Sequence, residues 1–253
     1  MILLLALLPA LASPAFERGV EASRAGDQPA AVGAFAEALA EGAVDPAVYH
    51  GLGNALYRQE QVGPAIAAWM RGLRLSPGDA DLRANLAYAR ARTQDRLDLP
   101  APSIGPFLWQ GWLSPATQAR LAGGFATLGL SAQFLLALRA RQRSQPSPRP
   151  HPGLLLSLLL ALLLGLGAAL DARRPPAATV LLPQVTVRSA LGAEGVELFV
   201  LHEGAVVRTL ERWEGGEAGP PAAVLIELPD ARKGWVPASA VDLALPDAPF
   251  PLP

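Results

Sequence analysis

The chain carries few side chains able to do covalent or metal chemistry. It has no cysteine, which removes thiolate nucleophiles, Cys-based zinc sites, disulfides and a lipidated N-terminal cysteine. Its three histidines, His50, His151 and His202, stand far apart in different segments. That is too little for a His-rich metal centre or a nucleophile–His pair. The carboxylates show no pairing suited to acid/base work, so no catalytic residue, no cofactor-binding residue and no metal ligand is expected. Cations are almost all arginine, Lys233 being the sole lysine, and Ala, Leu, Gly and Pro abound. That texture reads as a compositional bias, so an isolated arginine carries little weight. A net charge of −1 also argues against a nucleic-acid partner, which requires a basic stripe.

What remains is binding chemistry, and one set of residues has the spacing for it. Arg24, His50, Asn54, Tyr57, Arg58, Asp81, Tyr88 and Arg92 mix charge, amide and aromatic character over a stretch that repeats itself. Gly19 recurs as Gly53 and then as Ala87, each 34 residues on; Ala31 recurs as Ala65, Phe35 as Trp69 and Leu39 as Leu73. This is the tetratricopeptide period, and the matching positions are those where two antiparallel helices touch. Gly19 and Gly53 permit close approach, Phe35 and Trp69 fill the space between pairs, Gly26-Asp27 turns repeat one and Pro77 ends repeat two. Repeat two fits best, with Tyr49, Leu52, Gly53, Asn54, Ala55, Tyr57, Ala65, Trp69 and Pro77 in pattern. Repeat one departs at Ala22, where an aromatic is usual. Asp81 to Arg92 then reads as a lone first helix capping the stack. Such modules bind peptides in the concave face made by successive first helices, and the eight residues named are the candidate peptide groove. The alternative is that they are solvated helix positions. Where carboxylate-clamping modules place cations in a third repeat this chain has Ala84 and Tyr88, a departure from that mode.

The elements around this module divide by composition. Hydrophobic residues make up 51 % and charged residues 17 %, and the apolar residues pile up in three runs. The first, Ile2 to Leu8, is too short to span a bilayer; followed by Ala10-Leu11-Ala12, it reads as a secretory signal ending at Ala12, without a preceding Lys or Arg. The second, Leu121 to Leu138, has Ser114 and Pro115 as a helix start and Trp109 and Trp112 where a headgroup layer would lie. The third, Gly153 to Leu170, is nearly all Leu, Ala and Gly. Between the second and third stand Arg139, Arg141, Arg143 and Arg149 without an acid, so the positive-inside rule places that loop in the cytoplasm and both larger modules outside it. Small residues spaced by four, Ala119-Gly123-Thr127-Ser131 and Gly153-Ser157-Ala161-Gly165-Ala169, predict two facing ridges in an antiparallel hairpin.

After Pro175-Pro176 the texture turns to short β segments: Val185–Arg188, Glu197–Leu201, Ala205–Leu210, Val224–Leu228 and Gly234–Val236, parted by Gly, Pro and Asp. Five or six short strands in about seventy residues suit a small barrel. Val187-Arg188-Ser189, Leu201-His202-Glu203-Gly204 and Gly234-Trp235-Val236-Pro237-Ala238-Ser239-Ala240-Val241 resemble bacterial SH3-type domains. Trp235 reads as a core or rim aromatic, with a ligand platform on the barrel surface as the other reading. The aromatic-rich motif of proline-binding relatives is missing, so no polyproline ligand is implied.

The expected fold class is therefore a multi-domain membrane protein: all-α tetratricopeptide helical repeats, a two-helix transmembrane hairpin and a small all-β SH3-like barrel. Its expected parts are a signal peptide (1–12), the repeats (13–96), a linker (97–115), a first transmembrane helix (116–138), the Arg-rich loop (139–152), a second transmembrane helix (153–170) and the barrel (175–247). This order resembles the BatE proteins of the aerotolerance (Bat) system. The resemblance implies a non-enzymatic adaptor of the bacterial inner membrane, with two passes and both large modules periplasmic. It implies protein partners among von Willebrand A-domain membrane proteins and, indirectly, a MoxR-type ATPase, and no cofactor. A peptidoglycan-binding anchor acting through the SH3-type domain is the other reading.

Overall fold

The computed structural model describes residues 13–95, 97, 109, 111–143, 146, 149–173, 177–191, 195–216, 220–245 and 249–251. The expected signal segment, most of the linker and residues 144, 145, 147 and 148 of the Arg-rich loop lie outside them. Two compact units form, one from the segments up to residue 101 and from 175 onward, the other from 102–174.

The larger unit begins with five helices: α1 (Pro14–Ala25), α2 (Gln28–Ala40), α3 (Pro46–Arg58), α4 (Val62–Leu75) and α5 (Ala80–Arg90). Their starts are written locally. Asp27, Asp45 and Asp79 each accept a hydrogen bond from a free amide of the first turn, 2.8–3.0 Å long, and proline follows within two residues of Asp27 and Asp45. Such caps each stabilise a helix by about 1 kcal/mol. α1 ends on Gly26 at φ 84°, a left-handed conformation that glycine adopts without strain. The period of 34 appears as a repeated contact. A Cβ on Gly19 would stand 2.7 Å from the Phe35 ring, and one on Gly53 would meet the Trp69 ring at Nε1, with Cδ1 at 2.6 Å. Each helix pair thus seats a ring on a glycine of its partner helix. Phe35 also fills the room left by Gly51 of the next pair.

Seven strands follow: β1 (Ala177–Val180), β2 (Gln184–Arg188), β3 (Glu197–His202), β4 (Val206–Trp213), β5 (Ala223–Glu227), β6 (Lys233–Pro237) and β7 (Val241–Asp242). They form one antiparallel sheet in the order β3-β2-β6-β5-β4-β1-β7. Among the described residues no ladder joins β3 to β7, so the sheet is open at that point. β1 is a strand the sequence reading did not expect; Ala177-Ala178 has weak β propensity, and pairing with β4 and β7 supplies what propensity does not. The sheet core is Val180, Val187, Leu201, Val207, Val224, Ile226 and Val236 with their neighbours.

The sheet packs on the helices through α4. This helix buries Gly63 to Trp69 without interruption, then Arg71 and Gly72, where a surface helix would expose one stripe. The turn before β4 reaches it: Glu203 accepts a hydrogen bond from the Gly63 amide at 2.7 Å, and a Cβ on Gly204 would meet Thr93 and Ile66. Asp95, beyond α5, accepts from the His202 amide and lies 3.2 Å from its Nδ1. At the centre Arg71 and Asp242, 2 % and 3 % exposed, form a bidentate ion pair. Arg71 donates further to the Pro249 carbonyl at 3.2 Å and lies over the Phe250 ring. Burial by itself would lower the Arg71 pKa. The Asp242 hydrogen bonds and charge, with Tyr49 adding to them, outweigh burial and raise it. A base with a raised folded pKa stabilises the fold below its ordinary value and loses that stabilisation only as pH rises through the folded value. Arg71 therefore contributes equally across the neutral range.

The smaller unit is a hairpin of α6 (Pro115–Gln142) and α7 (Pro152–Ala172). At 28 and 21 residues both are long and apolar enough to cross a membrane, reaching about 42 Å and 32 Å at 1.5 Å per residue. Leu128, Phe134 and Leu162 are about two-thirds exposed, an arrangement suited to lipid rather than water. The facing ridges differ from those the spacing by four predicts. Gly123, Thr127 and Ser131 are exposed, and the Thr127 hydroxyl donates to the Gly123 carbonyl of its own helix. The contact face of α6 runs instead through Gln118, Gly129 and Ala140. A row spaced by four advances about 40° per step around a helix of 3.6 residues per turn, so it winds off the face of a neighbour lying alongside. A spacing of eleven residues, three whole turns, stays on it. Of the α7 ridge, Ser157 is buried and Ala161 and Gly165 are half-buried, while Gly153 and Ala169 are exposed. Gly129 sits on Ser157, and polar contacts hold the hairpin near its ends: Gln118 donates to Asp171 at 2.8 Å and the His151 amide to Gln133 at 3.1 Å.

Two outcomes are expected. Arg71→Met or Asp242→Leu alone should destabilise the larger unit by about 3–5 kcal/mol, because each leaves a buried charge unpaired, while the double variant should recover most of that loss; denaturant melts of the solubilised chain measure it. Cysteines at Gly129 and Ser157 should crosslink through a short bridging reagent, and cysteines at Thr127 and Ala161 should not.

Candidate functional site

The helices leave a face that the sheet does not cover. Because the sheet occupies α4, the first helices α1, α3 and α5 keep their outward face clear, and the sequence-selected groove residues lie along it. His50, Asn54 and Tyr57 are half-buried; Arg24, Arg58, Asp81, Tyr88 and Arg92 are exposed.

Two groups of these residues are brought together. In the middle, His50 and Asn54 lie one helical turn apart on α3, with Asn54 Nδ2 3.2 Å from His50 Nε2. Asn85 of α5 completes the group: its Nδ2 is 3.0 Å from His50 Nε2 and donates to Asn54 Oδ1 at 2.9 Å. Nearer the helix ends, Tyr57 meets Tyr88 edge-on at 6.0 Å and Trp69 at 5.6 Å. Arg92 lies 3.4 Å over the Tyr88 ring and donates to the Tyr88 carbonyl, and Arg58 donates to Ser23 Oγ at 3.3 Å. Arg24, in the last turn of α1, and Asp81, in the first turn of α5, make no hydrogen bond or ion pair with the other members among the described residues. Asn85 was missed because its counterpart 34 residues earlier is Gly51, which has no side chain to offer, and Ser23 because the same register position was read from Tyr57. The face 81, 85, 88, 92 of α5 was the signal for Asn85, since those intervals return to one side of a helix.

Chemically the face offers donors, acceptors and aromatic rings, and no nucleophile–base pair. Among the described residues no cluster of three or more His, Cys, Asp or Glu could hold a metal ion. The amides of Asn54 and Asn85 each carry donors and an acceptor suited to a peptide backbone. Trp235 lies elsewhere, half-buried on the sheet, between Leu225 of β5 and Arg188 of β2. Comparison with known protein families, curated proteins and solved structures finds no match for this chain.

A binding face differs from a structural one in what its loss does to stability. Tyr88, 53 % exposed, should tolerate substitution by alanine within about 0.5–1 kcal/mol. Tyr49, 1 % exposed, should cost about 3–5 kcal/mol when truncated. Thermal melts of the two variants give the comparison.

Proposed function

We propose that the chain is a non-enzymatic membrane adaptor whose first-helix face holds an extended segment of a partner protein. The observation that carries this reading is the polar cluster of His50, Asn54 and Asn85 beside the Tyr57–Tyr88 pair, set on a face that the rest of the unit leaves open. Polar groups that hydrogen-bond one another on an accessible face can exchange those bonds for a ligand's at little net cost. The helix pairs with their glycine-seated rings are read as tetratricopeptide repeats, and the sheet as an SH3-type domain.

The two apolar helices support a two-pass topology. The arginines at 139, 141, 143 and 149, with no acid between them, support a cytoplasmic turn and periplasmic placement of both modules at the bacterial inner membrane. The BatE-like order then suggests von Willebrand A-domain membrane proteins as partners, with a MoxR-type ATPase acting indirectly, in an aerotolerance or envelope-stress complex. A second reading has the sheet bind peptidoglycan. It is supported by Trp235, an aromatic ring flanked on both neighbouring strands at half-buried positions.

Two experiments test these readings. Affinity purification from solubilised membranes should recover discrete partner proteins, and the folded Asn54→Ala, Arg58→Glu double variant should lose them; unchanged recovery would reject the groove. In intact spheroplasts a membrane-impermeant thiol reagent should label a cysteine at Ser239 and spare one at Gln142, and the reverse pattern would reject the topology. Sedimentation of the chain with purified sacculi, abolished by Trp235→Ala, would favour the wall-binding reading instead.

A further inference from the structure

The arginines of the first-helix face define the chemistry of the segment it would hold. Arg24, Arg58 and Arg92 follow one another at intervals of 34 residues and stand at the C-terminal ends of three successive first helices: Arg24 in the last turn of α1, Arg58 closing α3 and Arg92 two residues past α5. Contacts link them into one row. Arg58 reaches Ser23, the residue before Arg24; Tyr57, beside Arg58, meets Tyr88; and Arg92 covers Tyr88. All three guanidinium groups are exposed, and among the described residues none is within ion-pair distance of a carboxylate. Even Glu60, two residues past Arg58, forms no pair with it. Elsewhere in the same unit exposed arginines do find acids: Arg18 with Glu37, Arg208 with Glu227, Arg232 with Asp230.

Arginine near a helix C-terminus is favoured by the helix dipole. That accounts for a cation at each helix end. It does not account for three exposed cations in one row that pair neither with Asp81 of the same face nor with another described carboxylate, since like charges brought near one another repel. A row of this kind becomes favourable when an anion lies along it, and guanidinium groups bind carboxylates through paired N–H donors.

We infer that the partner segment is an acidic, extended peptide, whose carboxylates pair with Arg24, Arg58 and Arg92 while its backbone hydrogen-bonds with Asn54 and Asn85. The inference rests on the groove reading and adds the ligand's charge to it.

The test uses the full chain in phosphatidylcholine nanodiscs and fluorescein-labelled decapeptides of alternating Glu-Ala, Gln-Ala and Lys-Ala. The Glu-Ala peptide should bind, with an affinity that falls steeply as salt rises, and the other two should bind at least about tenfold more weakly. Arg58→Glu with Arg92→Glu should remove Glu-Ala binding without lowering the melting temperature, and Arg58→Lys with Arg92→Lys should keep most of it. Equal binding of Glu-Ala and Gln-Ala would overturn the inference and leave the groove reading standing. Binding of none of the peptides would overturn it as well. Arginine-dependent binding to phosphatidylglycerol vesicles without peptide binding would assign the row to lipid headgroups, again against the inference.

Discussion

A charged pair taken out of water, Arg71 with Asp242, is the contact around which the larger unit is arranged. Two ions lose several kcal/mol of hydration each on burial, and their attraction offsets that only when geometry and further hydrogen bonds are good. Here they are: the pair is bidentate, the Ala244 amide donates to Asp242, and the Pro249 carbonyl accepts from Arg71. Such a pair tolerates little displacement, so it fixes where α4 lies against β7 to a degree that apolar packing alone would not. The Gly63–Glu203 and Asp95–His202 contacts are set at other points of the same contact surface. The five helices and the sheet are therefore one body, with the second helix of the second pair as its spine.

That arrangement has a consequence for binding. A helical repeat has two faces, and the sheet consumes the one presented by α4. The face of α1, α3 and α5 is left uncovered by the sheet, and its exposed residues are held by a framework that does not need them for stability. The polar cluster around His50 is hydrogen-bonded internally and the two tyrosines meet edge-on, so little side-chain entropy remains to be lost when a ligand settles there. The hairpin unit follows a different economy. Its outer leucines face outward, and its helices meet through Gly129 on Ser157 and through hydrogen bonds near the ends, the means by which helices associate where water does not drive them together.

Local features were legible from the residues. The 34-residue period placed the helix pairs, and Ser114 before Pro115 marked the start of α6. Two long uncharged runs gave α6 and α7. What the residues could not announce was long-range. Arg71 looks like one arginine among many in an Arg-rich chain, and its partner lies 171 residues away; pairing across that distance leaves no periodic trace. The uninterrupted apolar run of α4 was the trace of its burial, since a helix apolar on every side needs a second neighbour. β1 was hidden by its alanines, and Asn85 by having Gly51 as its counterpart one repeat earlier. The spacing-by-four ridges misplaced the α6 face for a geometric reason: small residues are common here, and only the winding of the helix decides which of them meet the partner.

The proposed resting place of a partner protein is the face of α1, α3 and α5. A photo-crosslinking amino acid placed at Tyr88 in the cell-borne protein reads this most directly, with Gly33 as the control: that position is exposed on α2, and a side chain there would meet nothing within 4 Å. A discrete protein adduct is expected from position 88, lost when Arg58 and Arg92 are changed to glutamate, and none from position 33. Adducts of equal yield from both positions, or none from position 88, would contradict it.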